Sequence, residues 1–228
     1  MLTDPDCQLL YPFQNQANDY SGHARHGTVN GSGVYATRPN GGRCLYFDGV
    51  GDYVETPSFA LSGTVVVFAA DARCKFNAGL HQTFIDDNPE VTLNGFLCCE
   101  RPPNSNDFRA YYTHNNTYSY VTATDYFAAP YNDVWVSVLL VFYFVVGGQI
   151  YFYRNATLFS TSTMLGTPRF PSATVPRLLG LGAVSGFQNP LTDGYLANVQ
   201  LRTLATMPAE AQMLANAKRI MLGMNPIW

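Results

Sequence analysis

The chain reads as an antiparallel two-sheet β-sandwich of the jelly-roll kind, all-β apart from one short C-terminal helix. Three observations predict this. Nearly every segment is rich in β-branched and aromatic residues, and many alternate in polarity. Turn signals recur at short intervals: Asn94-Gly95, Pro102-Pro103-Asn104, Gly147-Gly148 and Arg154-Asn155. A single Ala/Glu/Met/Leu-rich segment, near Pro208–Ala217, comes at the end. There Pro208 sits at a helix start, where its missing N–H costs nothing, and Glu210 lies at the positive end of the helix dipole.

The predicted strands follow in order. In the first half they are Gln8–Phe13, Arg43–Phe47, Tyr53–Thr56, Thr64–Ala70, Gln82–Ile85 and Gly95–Glu100. The second half supplies Ala110–His114, Tyr118–Thr124, Trp135–Val145, Gln149–Arg154, Ala156–Ser162, Leu178–Ala183 and Leu196–Arg202. Gly147-Gly148 between two apolar strands is the strongest hairpin signal. The segment 134–146, VWVSVLLVFYFVV, is too short to span a bilayer as a helix and reads as a strand apolar on both faces. A strand facing water on one side should alternate with polar residues. Its outer residues, Leu139 and Val141 among them, are therefore expected to meet a second subunit, with 102–107 as the competing cover.

The first third of the chain carries a recognisable order of turns. Asp19-Tyr20-Ser21-Gly22 leads to His26-Gly27, Gly41-Gly42 opens a strand ending in Phe47-Asp48-Gly49, and Asp52-Tyr53-Val54 starts the next. The pattern D-x-S-G-x-x-x-x-G followed by F-D-G-x-x-D-Y-V resembles the opening of the laminin-G-like, concanavalin A-like family. The stretch 135–163 resembles that family's W-x-H-V…Y-V-N-G-x-L hairpin, with Ser137 where a His is common and Arg154-Asn155 in place of Asn-Gly. The segment 193–201 is similar to its last strand, and 204–214 to its closing turn and helix. The resemblance covers nearly the whole chain and implies one laminin-G-like domain over residues 1–228.

Composition narrows the function. With 228 residues the chain suits one large β domain, and 47% hydrophobic residues supply its core. Charged residues are 13%, about half the usual ~25%. The net charge is −3 and the thirteen basic residues are scattered, with Lys218-Arg219 the only close pair, so nucleic acid is not expected as a partner. No basic-then-apolar leader opens the sequence. The five cysteines, Cys7, Cys44, Cys74, Cys98 and Cys99, have neither disulfide-framework nor zinc spacing and are read as buried thiols.

No catalytic constellation stands out. Glycosidases need two carboxylates flanking one bond, and the nearest acids, Asp86, Asp87 and Glu90 around Pro89, read as a solvated loop. His23, His26, His81 and His114 match no metal or hydrolase motif. The family resemblance implies a structural calcium where the N-terminal turn meets the last strand, at Asp19 and Asn198, with Asp48 an outer candidate. Ala197 and Asn198 stand where the family has acids, so such a site would bind weakly; turn capping is the competing reading for Asp19 and Asp48. Tyr111, Tyr112, Tyr118 and Tyr120, with Tyr126 and Tyr131 nearby, are the candidate glycan-stacking residues, against strand packing or a subunit interface.

Low charge, free cysteines and the missing leader favour a non-catalytic binding or structural subunit of a larger assembly, such as a phage or virus decoration or fibre protein. That reading implies cytoplasmic synthesis, a virion-surface or other extracellular location, and a homo-oligomer or other structural subunits as partners. The alternative is a carbohydrate-binding adhesion module of a secreted or cell-surface protein, with a glycan as partner.

Overall fold

A computed structural model describes residues 4–48, 51–75, 82–87, 97–114, 117–172, 174–179 and 194–221. Its first strands are β1 (Cys7–Tyr11), β2 (Thr28–Asn30), β3 (Val34–Thr37), β4 (Arg43–Phe47), β5 (Tyr53–Glu55) and β6 (Val65–Cys74). Next come β7 (Gln82–Asp87), β8 (Leu97–Arg101), β9 (Phe108–His114), β10 (Thr117–Ala123) and β11 (Trp135–Tyr143). The last are β12 (Gln149–Arg154), β13 (Thr157–Thr163), β14 (Pro168–Arg169), β15 (Arg177–Leu179) and β16 (Gly194–Leu204), before helix α1 (Glu210–Met221).

The strands form two antiparallel sheets of eight. One runs β13-β12-β11-β6-β16-β4-β3, with β1 also on β16; the other runs β10-β9-β8-β7-β15-β5-β2, with β14 on β9. Alternation explains the layers. On the first sheet Leu45, Phe68, Leu140, Phe152 and Leu196 point inward, and on the second Ile85, Cys99, Ala110, Tyr112 and Leu179 meet them in one core. The chain is thus the all-β sandwich with one short C-terminal helix that its sequence predicts.

The hairpin β3–β4 shows how local sequence sets geometry. Arg38 accepts the Gly41 amide at 2.9 Å across a turn with Pro39 at its second position, where proline's fixed φ fits. Gly41 follows at φ 83, a conformation a side chain would strain. At the β11–β12 turn the demand is steric: a Cβ on Gly148 would stand 1.9 Å from the Tyr143 carbonyl oxygen.

Two expectations are corrected. The outer face of β11 is covered by the chain itself: Leu139 and Val141 form a second apolar cluster with Val65, Val67, Met213 and Ala217 beneath α1. Neither a subunit nor the 102–107 loop is needed to bury them. Asp86 and Asp87 do not lie in a solvated loop; both are buried at the end of β7. They point to opposite faces, as strand neighbours must, and Asp87 pairs with the buried Arg177 at 2.7 Å. His81 and Glu90 lie outside the described residues, as do parts of the strands expected at Gly95–Glu100 and Leu178–Ala183.

Candidate functional site

Helix α1 covers only one end of the first sheet's outer face. At the other end the register aligns a row of polar and aromatic side chains. Trp135 on β11 opposes Arg73 on β6, Arg73 opposes Tyr195 on β16, and Tyr195 opposes Tyr46 on β4. Directly opposed residues share a face, and the alternate positions Val136, Ala72, Leu196 and Leu45 lie in the core. One residue pair further along, Ser137, Asp71 and Ala197 form the next row.

These rows and the β3–β4 turn enclose a cleft of about 250 Å³ lined by Ala36, Thr37, Arg38, Pro39, Cys44, Arg73, Trp135 and Tyr195. That lies below the ~300–1,000 Å³ of pockets for drug-sized ligands, so it suits one ring rather than a chain.

Arg38 is the most constrained group in the cleft. Its Nη1 donates to Asp71 Oδ2 at 2.8 Å, and its guanidinium lies 4.4 Å from the centre of the Trp135 ring. Asp71 is in turn held by Ser137 Oγ and by Asn198 Nδ2 at 2.9 Å. The side chains of Arg38 and Asp71 are 11% and 3% exposed, so this ion pair is shielded from water. Nε of Arg38 has no hydrogen-bond partner. Arg73 crosses the far side: Nε donates to Asp133 Oδ1 at 2.9 Å, and the guanidinium stands 5.6 Å from the Tyr195 ring. Trp135 and Tyr195 are 6.1 Å apart, and Tyr195 and Tyr46 are 4.9 Å apart. Burial pushes the Cys44 thiol in the cleft wall upward, against the pull of Arg38, Arg43 and Arg73.

Asn198 reaches Asp71 because of its backbone. The β6–β16 register slips between Ala197 and Gln200, and Asn198 takes φ 51. Such a bulge re-aims a side chain, and Asn tolerates the left-handed region. The residues named for calcium are therefore engaged separately. Asp19 accepts the amides of Leu10, Ser21 and Arg25 and the Ser21 hydroxyl, at 2.7–3.0 Å. Burial would raise the Asp19 carboxyl, but these hydrogen bonds outweigh it and hold the group below its usual range. Asp48 sits in a third network, its amide donating to Asp52 at 3.0 Å, with the Ser32 hydroxyl near its own carboxylate. The residues do not fit one shared oxygen shell. Among the described residues no three of His, Cys, Asp and Glu form a cluster suited to a metal ion.

The tyrosines divide by strand parity. Tyr112 is fully buried in the core, where its hydroxyl accepts the Leu165 amide, and Tyr126 is buried with its hydroxyl on the Tyr153 carbonyl. Neither belongs to an exposed platform. Tyr131 lies under the Arg154 guanidinium, 3.9 Å from ring centre. Tyr111 and Tyr120 share the outer face of the second sheet at 5.2 Å, with Tyr118 42% and Tyr120 51% exposed. Arg109 caps Tyr120, and the Tyr111 hydroxyl donates to Glu100 at 2.7 Å.

Sequence reasoning passed over Arg38, Asp71, Arg73, Trp135 and Tyr195 as a site. Their signal was present: Asp71 and Arg73 are polar residues two apart in an otherwise apolar strand, which marks one solvent-side face.

Comparison of the sequence with family models and with curated proteins finds no match. The fold, by contrast, has many relatives among solved structures. The receptor-binding domain of the botulinum neurotoxin C/D mosaic serotype superposes with a TM-score of 0.70 at 12% identity, covering 96% of this chain and 51% of that one. The type G receptor-binding domain gives 0.67 at 11% identity, over 95% and 51%. The serotype D ligand-binding domain, solved in complex with N-acetylneuraminic acid, gives 0.69 at 12%, over 96% and 51%. The likeness shows a β-sandwich fold, and the chain spans about half the length of each of these domains.

Proposed function

We propose that the chain is a non-catalytic carbohydrate-binding module and that the cleft between Arg38 and Tyr195 is its sugar site. The observation that carries the reading is the cleft itself. It joins aromatic walls, which pack on the apolar faces of a pyranose, to two arginines, Arg38 held by the buried Asp71 and Arg73 by the partly exposed Asp133, which offer donors to its oxygens. A concave surface with few convergent polar groups is what binding needs, and no part of this proposal requires a reaction. The neighbours favour it: one is described as bound to N-acetylneuraminic acid, and a related description ties cell entry of the type C toxin to two ganglioside molecules. A laminin-G-like ancestry, implied by the turn motifs, accords with the same role. The apolar outer face of β11, read as a subunit contact, is covered by α1 and so does not speak for an assembly subunit.

A glycan array probed with the whole chain tests this. Trp135→Ala removes the support beneath Arg38 and is expected to abolish binding to every glycan the native chain retains, while Tyr120→Ala on the other sheet leaves binding intact. The reverse pattern would move the site to the tyrosines of β9 and β10.

A further inference from the structure

Resting on the glycan-binding reading of the cleft, we infer that its ligand carries a carboxylate: an acidic pyranose, sialic or uronic, whose acid group is received by Arg38 and Arg73. The donor and acceptor balance of the lining leads there. Sugar hydroxyls both give and accept hydrogen bonds, so a site for a neutral sugar needs acceptors as well as donors. None of the eight lining residues is an acid or an amide. The two carboxylates near the cleft are already engaged, Asp71 by Arg38, Ser137 and Asn198, and Asp133 by Arg73. Thr37 and Tyr195 bring hydroxyls that both give and accept, Thr37 already accepting from Arg43, so the charged groups the cleft offers are the donors of its arginines.

Arg38 has donors in excess. Of its five N–H groups one bonds Asp71 and the one on Nε is buried without a partner, so the donors left for a ligand are those of the terminal nitrogens. Its plane is fixed by Asp71 on one edge and by the Trp135 ring on one face. A guanidinium locked this way presents its free edge to a planar, two-oxygen acceptor without losing rotamer freedom on binding. Arg73 faces it across the same cleft from the Tyr195 side. Arg38, Arg43 and Arg73 stand around the cleft wall against the two carboxylates Asp71 and Asp133, an excess of one positive charge in a chain of net charge −3. An anion is drawn to such a spot more than a neutral ring is. The volume of about 250 Å³ admits a single ring, which favours a terminal residue over an internal one.

Isothermal titration of the whole chain against four probes decides the matter: sialyllactose, a disaccharide ending in glucuronic acid, lactose, and sialyllactose with its carboxylate converted to an amide. At least one acidic probe is expected to bind roughly ten- to a hundredfold more tightly than lactose, the range for a hydrogen bond to a charged group. The amide should lose the same factor, and added salt should narrow the gap. The two acidic probes separate a sialic from a uronic source. Arg73→Gln, at a partly exposed position where the fold survives, should erase the preference while circular dichroism stays native. Equal binding of lactose and the acidic sugars, undiminished binding of the amide, or a preference that persists in Arg73→Gln would overturn the carboxylate inference and leave glycan binding standing. A folded chain that binds no saccharide on the array or in titration would remove both.

Discussion

Asp71 shows how one residue sets the geometry of the cleft. It lies on the outer face of a central strand, where water would normally solvate a carboxylate, yet it is nearly sealed. Three partners from three other segments converge on it: Arg38 from the β3–β4 turn, Ser137 from β11 and Asn198 from the β16 bulge. Removing one member of a buried pair strands the other, which costs more than the pair itself contributes. Asp71→Ala should therefore lower stability by about 3–5 kcal/mol in urea denaturation, whereas Ser137→Ala, which deletes a single neutral donor, should cost about 1 kcal/mol. Near-equal losses would mean that Arg38 finds solvent when its partner is gone. Little of this was legible in the sequence. Trp135, Arg73 and Tyr195 meet through the pairing of β11, β6 and β16, and strands distant in the chain leave no spacing motif. Asn198 was singled out, but for calcium, because its left-handed backbone and the bulge that turns it to Asp71 are products of register.

At the scale of elements the legible parts are those with local cues. Strands β4 and β12 have the bounds their sequences predict, each flanked by Gly or a turn pair that stops it. β2 and β3 escaped prediction because they are short and lie near sheet edges, with no buried face to impose alternation. Helix α1 was foreseen, but its task was not: an apolar stripe at the chain's end was not matched to the apolar outer face of β11. The two surfaces complete each other, Met213 and Ala217 on Leu139, Val141 and Val67. Met213→Ala should cost about 2–5 kcal/mol, as for other fully buried large-to-small changes, read from the denaturation midpoint. Leu139→Lys puts an unpaired charge under the helix and should unfold the monomer. If native mass spectrometry instead showed a larger assembly of the native chain dissolving into folded monomers, the outer face of β11 would be a subunit contact after all.

For the whole molecule, sparse charge makes a few buried carboxyls govern the response to acid. Two of them act in opposite directions. Asp19 is held below its usual range by the donors that cap it, although burial works against them. Its folded form binds its proton less readily than the unfolded chain, so its contribution is present above the ordinary carboxylate range and is lost as pH falls through the depressed value. Asp86 is raised well above that range, first by burial and then by the neighbouring Asp87 and Glu100. Here the folded form holds the proton more tightly, so stability is greatest below the ordinary range and declines as pH rises towards the elevated value. Asp86→Asn should therefore raise the melting temperature at neutral pH, with the gain shrinking to nothing below about pH 4, where the unfolded aspartate is itself protonated. Asp19→Asn should lower the melting temperature at neutral pH, and its deficit should close at still lower pH. Thermal melts of both variants from neutral pH into acid would show the two differences, opposite in sign, converging on the native chain. A drop in melting temperature for Asp86→Asn at neutral pH would mean that its carboxylate is charged and paired in the fold rather than held neutral by burial.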